Sequence, residues 1–153
     1  MTGRVEAKLA AMGLELPEPF AYPSANRTGC VETGSLLFVS GHPPPAALGA
    51  AMRGKVDAEI PEDEAYDTAR KTALNIFASV QRHLGSLDRV RRVVKINGYV
   101  NSSPGFERQF AVIDGASDLL YELYPEAHAR TAVGVAELPR GFPIEIEAVF
   151  EIG

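Results

Sequence analysis

Apolar positions along the chain fall into two kinds of spacing, and the change from one to the other outlines the fold. At the C-terminal end, Ile144, Ile146, Ala148, Phe150 and Ile152 recur at every second residue, leaving Glu145 and Glu147 on the opposite side of a strand. Just before it, Val133 and Val135 make the bulky row of another strand, so Arg130, Ala132, Gly134 and Ala136 point away from them. Two short strands are expected near 30–33 and 36–40, with Gly34-Ser35 turning between them. A long strand is expected over 88–100, with Val90, Val94, Ile96 and Val100 on one face.

Helical spacing appears elsewhere. Ala65, Ala69, Ala73, Ile76 and Val80 form a stripe that begins behind Pro61, runs past the acidic Glu62, Asp63 and Glu64, and stops at Gly85. A second helix is expected from about Pro104 to Tyr124, where Pro125 prevents continuation. A short amphipathic helix is expected over 2–12, capped by Thr2 and closed by Gly13, with Val5, Leu9 and Met12 on one face. Pro-rich segments at 14–29 and 42–54 read as irregular connections. The main order is β-β-α-β-α-β-β, which fits an α+β fold: one mixed sheet with two helices on one face. The other face carries the Ala132, Gly134 and Ala136 row, suited to burial against another subunit.

Composition narrows the class. A chain of 153 residues with 46% apolar content suits one domain over 1–153, with residues 1–19 as an N-terminal helix and linker. A net charge of -5 excludes a surface that coats nucleic acid, and the cluster Arg89, Arg91, Arg92 and Lys95 reads as a solvated or interface strand face. Cys30 is the single cysteine, so neither an intrachain disulfide nor a thiolate metal site is expected. No run of apolar residues reaches membrane-spanning length, and the expectation is a cytoplasmic protein without membrane partners.

Candidate chemistry centres on Arg130 and Glu145. If both bulky strand faces pack on one core, these two emerge together on a face of very small residues. A planar guanidinium can bind a substrate carboxylate through two parallel hydrogen bonds. A carboxylate partly removed from water can take a proton from an attacking water. The bland alternative is a structural ion pair of Arg130 with Glu145 or Glu147. Ser40-Gly41 at a strand end offers a hydroxyl and close backbone approach, a common and unspecific pattern. His83 reads as a surface residue, while His42 and His128 lie near the candidate segments and could touch a ligand, with plain hydrogen bonding the better fit. No histidine spacing suits a metal, and no glycine-rich phosphate loop is present, so no metal or cofactor is expected.

The run ARTAVGVAELP at 129–139, followed by IEIEA at 144–148, resembles the C-terminal motif of the Rid (YjgF) family of reactive-intermediate deaminases. The likeness continues through LLFVSGHPPP at 36–45, GKV at 54–56, LGSLDRVRRVVKINGYVNS at 84–102 and the run from Phe106 through VIDGASDLL, covering roughly residues 20–152. The resemblance implies a chorismate-mutase-like fold, a homotrimer with pockets at subunit interfaces, and cofactor-independent hydrolysis of 2-imino or enamine acids to 2-oxo acids and ammonia. It places the carboxylate anchor at Arg130, the site glutamate at Glu145 and the pocket serine at Ser40, beside Gly41. The sequence departs from the family pattern at four positions. The family's tyrosine falls on Arg27, or on Tyr22 with a loop insertion. Its asparagine falls on Asp114, and a cysteine found in some members falls on Ala132. His42 stands where a glutamine follows Ser-Gly. These departures and the N-terminal helix imply a divergent subfamily with an altered preference for the substrate's side chain.

A second class of function uses the same pocket without turnover: a trimeric sensor or carrier of oxo acids, favoured by the changes at Arg27 and Asp114. An endoribonuclease, an older label of the family, is opposed by the acidic charge and the absence of an aromatic-basic surface. Chorismate mutase activity would rest on fold analogy alone.

Overall fold

A computed structural model of the chain describes residues 2–153. Its elements are α1 (Arg4–Ala11), β1 (Cys30–Thr33), β2 (Leu36–His42), α2 (Glu62–Leu84), β3 (Val90–Asn101), α3 (Gln109–Leu123), β4 (Ala129–Val135) and β5 (Ile144–Ile152). The strands form one mixed sheet in the order β1-β2-β5-β3-β4, antiparallel except for the β3–β4 pair. The helices α2 and α3 pack side by side over one face of it. The core lies between them: Phe77 and Val80 from α2, Ile113 and Leu119 from α3, and Leu37, Ile96, Ile146 and Phe150 from the sheet are all buried.

Local chemistry accounts for the element ends. Gly85 closes α2 in a left-handed conformation (φ 85°) that a β-carbon disfavours, and its N–H bonds to the Gln81 carbonyl at 2.7 Å. Helix α3 begins at Gln109, five residues beyond Pro104, because Gly105 takes φ +86° and the Ser103–Phe106 turn interrupts the helical path. Helix α1 is capped from a distance rather than by Thr2. The Asp88 carboxylate accepts the Arg4 and Val5 N–H groups at 2.6 and 2.8 Å. In return, Glu6 accepts the Leu87 N–H at 2.7 Å, and Val5 and Leu9 join the main core.

Two strand faces differ from the sequence reading. In β3, register shifts at Val90/Arg92 and Val93/Lys95 each insert an extra residue, so Val93 rather than Val94 is buried beside Ile96 and Val100. In β4, Arg130, Ala132 and Gly134 align with Ile96, Gly98 and Val100 and face the helices, whereas Val133, 40% exposed, faces outward beside Tyr99. The small residues are small because a helix is close. A β-carbon on Gly134 would stand 2.7 Å from Gln109 Nε2, and one on Gly98 would stand 2.5 Å from Ile113 Cδ1.

Candidate functional site

The inversion of β4 separates the two principal candidates. Arg130 lies on the helix-covered face and Glu145 on the open face, with β3 between their strands. Each has its own surroundings.

Glu145 sits over the irregularity in β2. The strand pairs Val39 with Ala148 and then His42 with Ile146, so Ser40 and Gly41 bulge out of register. A β-carbon on Gly41 would lie 2.9 Å from the Glu145 carboxyl carbon, so the glycine makes the niche in which the carboxylate rests. Glu145 is half-buried, and among the described residues no cation or donor pairs with it. Burial and then the neighbouring Glu147 raise its pKa above the ordinary glutamate value. Glu147, by contrast, is held firmly, accepting Asn97 Nδ2 at 2.9 Å and the Tyr99 hydroxyl at 2.7 Å. The Ser40 hydroxyl is already committed, donating to the Thr28 carbonyl at 2.6 Å.

Arg130 reaches to α3. Its Nη1 donates to Asp114 Oδ1 at 2.6 Å and to Ser117 Oγ at 3.3 Å, while no partner engages Nε or Nη2 among the described residues. Ser117 also meets His128 Nε2 at 3.0 Å. Burial and then the Arg130 charge lower the pKa of His128, so the ring is neutral near pH 7. Its buried Nδ1 has no partner among the described residues. Ala132 follows on the same strand face.

Arg27 belongs to neither group. It lines a cleft of about 450 Å³ at the β1 edge with Phe20, Tyr22, Ser79, Arg82 and His83. Tyr22 links this cleft to the β2 bulge by donating to the Gly41 carbonyl at 2.8 Å. His42 is fully buried behind the bulge, with Nδ1 2.7 Å from the Ser40 carbonyl and Nε2 2.7 Å from Ser79 Oγ. A carbonyl can only accept, so Nδ1 carries the proton and Nε2 accepts from Ser79. His42 therefore shapes the bulge from within and does not face a ligand. His83 pairs with Glu32 at the surface at 3.0 Å.

Comparison with known proteins fixes the family. A family model described as "YjgF/chorismate_mutase-like, putative endoribonuclease" matches residues 6–139. The chain belongs to the YjgF/Rid family. This YjgF/Rid chain is 44% identical to Protein TCP17 of Trypanosoma cruzi, over 99% of its own length and 96% of the relative's. It is similar to the crystal structure of an Agrobacterium tumefaciens protein of unknown function, with 39% identity, a TM-score of 0.88, and coverage of 97% and 92% of the two chains. Escherichia coli TdcF with bound serine is more distant, at 25% identity and a TM-score of 0.61, covering 89% and 94%. The observed sheet and helices are thus the chorismate-mutase-like α+β arrangement.

The structure brings Ser40, Gly41 and Glu145 together, and Arg130, Asp114 and Ala132 together, but joins neither set to the other within one YjgF/Rid chain. Sequence reasoning missed Asn97 and Tyr99, although their alternation with Ile96 and Val100 already put them on the outward face. It also missed Ser117, three residues after Asp114 on α3 and therefore on the same side of the helix.

Proposed function

We propose that this protein is a cofactor-independent deaminase of reactive 2-imino acids, with its site formed between two copies of the chain in a homotrimer. Arg130 of one copy holds the substrate carboxylate, and Glu145 of its neighbour activates water. The observation that carries this reading is the state of Glu145: a half-buried carboxylate with a raised pKa, without hydrogen-bond partners among the described residues, in a niche kept open by Gly41. Such a group has little to do for folding and is suited to take a proton near neutral pH. Glu145 accepts a proton from water as the water oxygen bonds to the imine carbon. The nitrogen receives that proton to complete the carbinolamine. Glu145 then takes the carbinolamine hydroxyl proton and passes it to nitrogen as the carbonyl forms and the carbon–nitrogen bond breaks, so that ammonia leaves a 2-oxo acid and the carboxylate is restored. TdcF with bound serine supports the carboxylate anchor, since it is a relative of the same fold with an amino acid bound.

The test is release of ammonia or oxo acid from enzymatically generated 2-imino acids of several side chains. Wild type accelerates release, Arg130→Ala abolishes the acceleration while the oligomer survives, and Glu145→Gln lowers it by about 10²–10⁴-fold, the usual share of a general base. A non-catalytic carrier of oxo acids is the second reading, favoured by one observation: the Ser40 hydroxyl is already bonded to Thr28 and is not free to position water. Saturable oxo-acid binding without faster imine decay would establish it.

A further inference from the structure

We infer that Asp114 is a built-in competitor for Arg130, and that it sets the substrate class by excluding imino acids that carry a second carboxylate. The inference rests on the proposed role of Arg130 as carboxylate anchor. Its basis is the form of the Arg130–Asp114 contact. Among the described residues only Nη1 is engaged, by one carboxylate oxygen at 2.6 Å, with Ser117 Oγ as a weaker second contact at 3.3 Å. The Nε–Nη2 edge, which a planar carboxylate grips with two parallel bonds, keeps its donors. The side chain of Asp114 is 45% exposed and that of Arg130 only 23%, so the anion sits on the solvent side of the cation.

Two consequences follow. The first is a loss of affinity for any incoming carboxylate, because part of the guanidinium charge is already balanced. An exposed pair of this kind is worth a factor of up to about five in binding. The second is discrimination. Asp114 remains beside a bound substrate, and Glu145 with Glu147 places two further carboxylates on the other half of the proposed site. A substrate with an acidic side chain therefore brings its second charge into a field of its own sign. At a separation of about 6 Å the repulsion amounts to roughly tenfold in affinity. Imino acids with neutral or basic side chains escape it. Asp114 is therefore a specificity-determining residue that also orients the guanidinium.

Asp114→Asn is the discriminating variant, because an amide oxygen can still accept from Nη1 while the charge is gone. The probes are 2-oxobutanoate and 2-oxoglutarate, titrated calorimetrically into wild type, Asp114→Asn, Asp114→Ala and Arg130→Ala, with imine hydrolysis followed in parallel. Wild type should prefer 2-oxobutanoate. Asp114→Asn should bind it about fivefold more tightly and gain roughly another tenfold for 2-oxoglutarate, with hydrolysis showing a lower KM at little changed kcat. Asp114→Ala, which loses the orienting acceptor, should gain less. Unchanged or weaker binding of both acids by Asp114→Asn overturns the inference, as does an equal gain for the two. If the variant tightens binding as expected while no form of the protein hydrolyses imines, the competitor role stands and the deaminase reading falls. If neither acid binds any form, Arg130 is not a carboxylate anchor and both fall.

Discussion

Placing a methyl group on Gly98 tests how closely α3 is set onto the sheet, and hence what holds Asp114 against Arg130. Gly98 lies in β3 opposite Ala132 and Ile146, and a β-carbon there would be 2.5 Å from Cδ1 and Cγ1 of Ile113 and 2.8 Å from its Cγ2. Ile113 is fully buried. To restore an ordinary carbon–carbon contact of about 3.5–4 Å, α3 must move by roughly 1 Å, or Ile113 must leave its rotamer. Overpacking of this kind costs about 1–3 kcal/mol, offset by up to about 1 kcal/mol from restricting the unfolded chain. Gly98→Ala should therefore destabilise by about 1–2 kcal/mol. In a chain of this size, that lowers Tm by roughly 3–8 °C.

The companion variant is Ile113→Ala, which opens a cavity and should cost about 2–5 kcal/mol by itself. In the double variant the new methyl enters space that the isoleucine vacated, so the two costs should fall short of their sum by about 1–2 kcal/mol. Urea unfolding of the four proteins, read by circular dichroism, completes the cycle. Additivity within about 0.5 kcal/mol would refute the argument that Gly98 is a glycine because of Ile113.

Two pH responses follow from the same structure. Because burial and Glu147 raise the Glu145 pKa, imine hydrolysis should fall on the acid side through an apparent pKa above the ordinary glutamate value of about 4.3, and Glu147→Gln should move that limb to lower pH; a wild-type limb at or below the ordinary value counts against Glu145 as the base. Burial lowers the pKa of His42, outweighing its bond to the Ser40 carbonyl, so the unfolded chain takes up a proton that the native one refuses, and stability present above pH about 6.5 is lost as pH falls toward the native pKa. His42→Gln should shrink the difference in urea midpoint between pH 7.5 and about 5; an undiminished difference would show that other groups carry it.

The elements were legible from the sequence because apolar spacing and punctuation agreed, as in the Ile144–Ile152 alternation and the Pro61 and Gly85 bounds of α2. The strand irregularities were not. A bulge leaves no compositional trace when the extra residue is Val94 or Ser40, each of which suits either face. The distant capping of α1 by Asp88 was equally hidden, since nothing local distinguishes that aspartate from any other. Of the candidate site, the residue types were legible but their grouping was not. Arg130 and Glu145 were placed on one face by assuming that bulky residues point inward.

That assumption fails in β4 for a physical reason with a consequence for function. On an edge strand beneath a close helix, space rather than apolarity is limiting, so the helix-facing row is Arg130, Ala132 and Gly134 and Val133 is left outside. The open face then holds exposed Val31, Phe38 and Val133 together with Glu147, held by Asn97 and Tyr99, and the half-buried Glu145, which pairs with none of the described residues. Exposed apolar groups of this size favour burial against another surface. A carboxylate among them gains nothing from burial unless a cation or a substrate meets it. Under the proposed function both demands are satisfied by a neighbouring copy that covers the valines and brings its own Arg130 to the rim. Val133→Asp, on the outward row but clear of Arg130 and Glu145, separates the two demands. It should dissociate the oligomer, seen as a fall in mass by sedimentation, and abolish imine hydrolysis with it. A dissociated chain that kept full activity would show that one copy suffices.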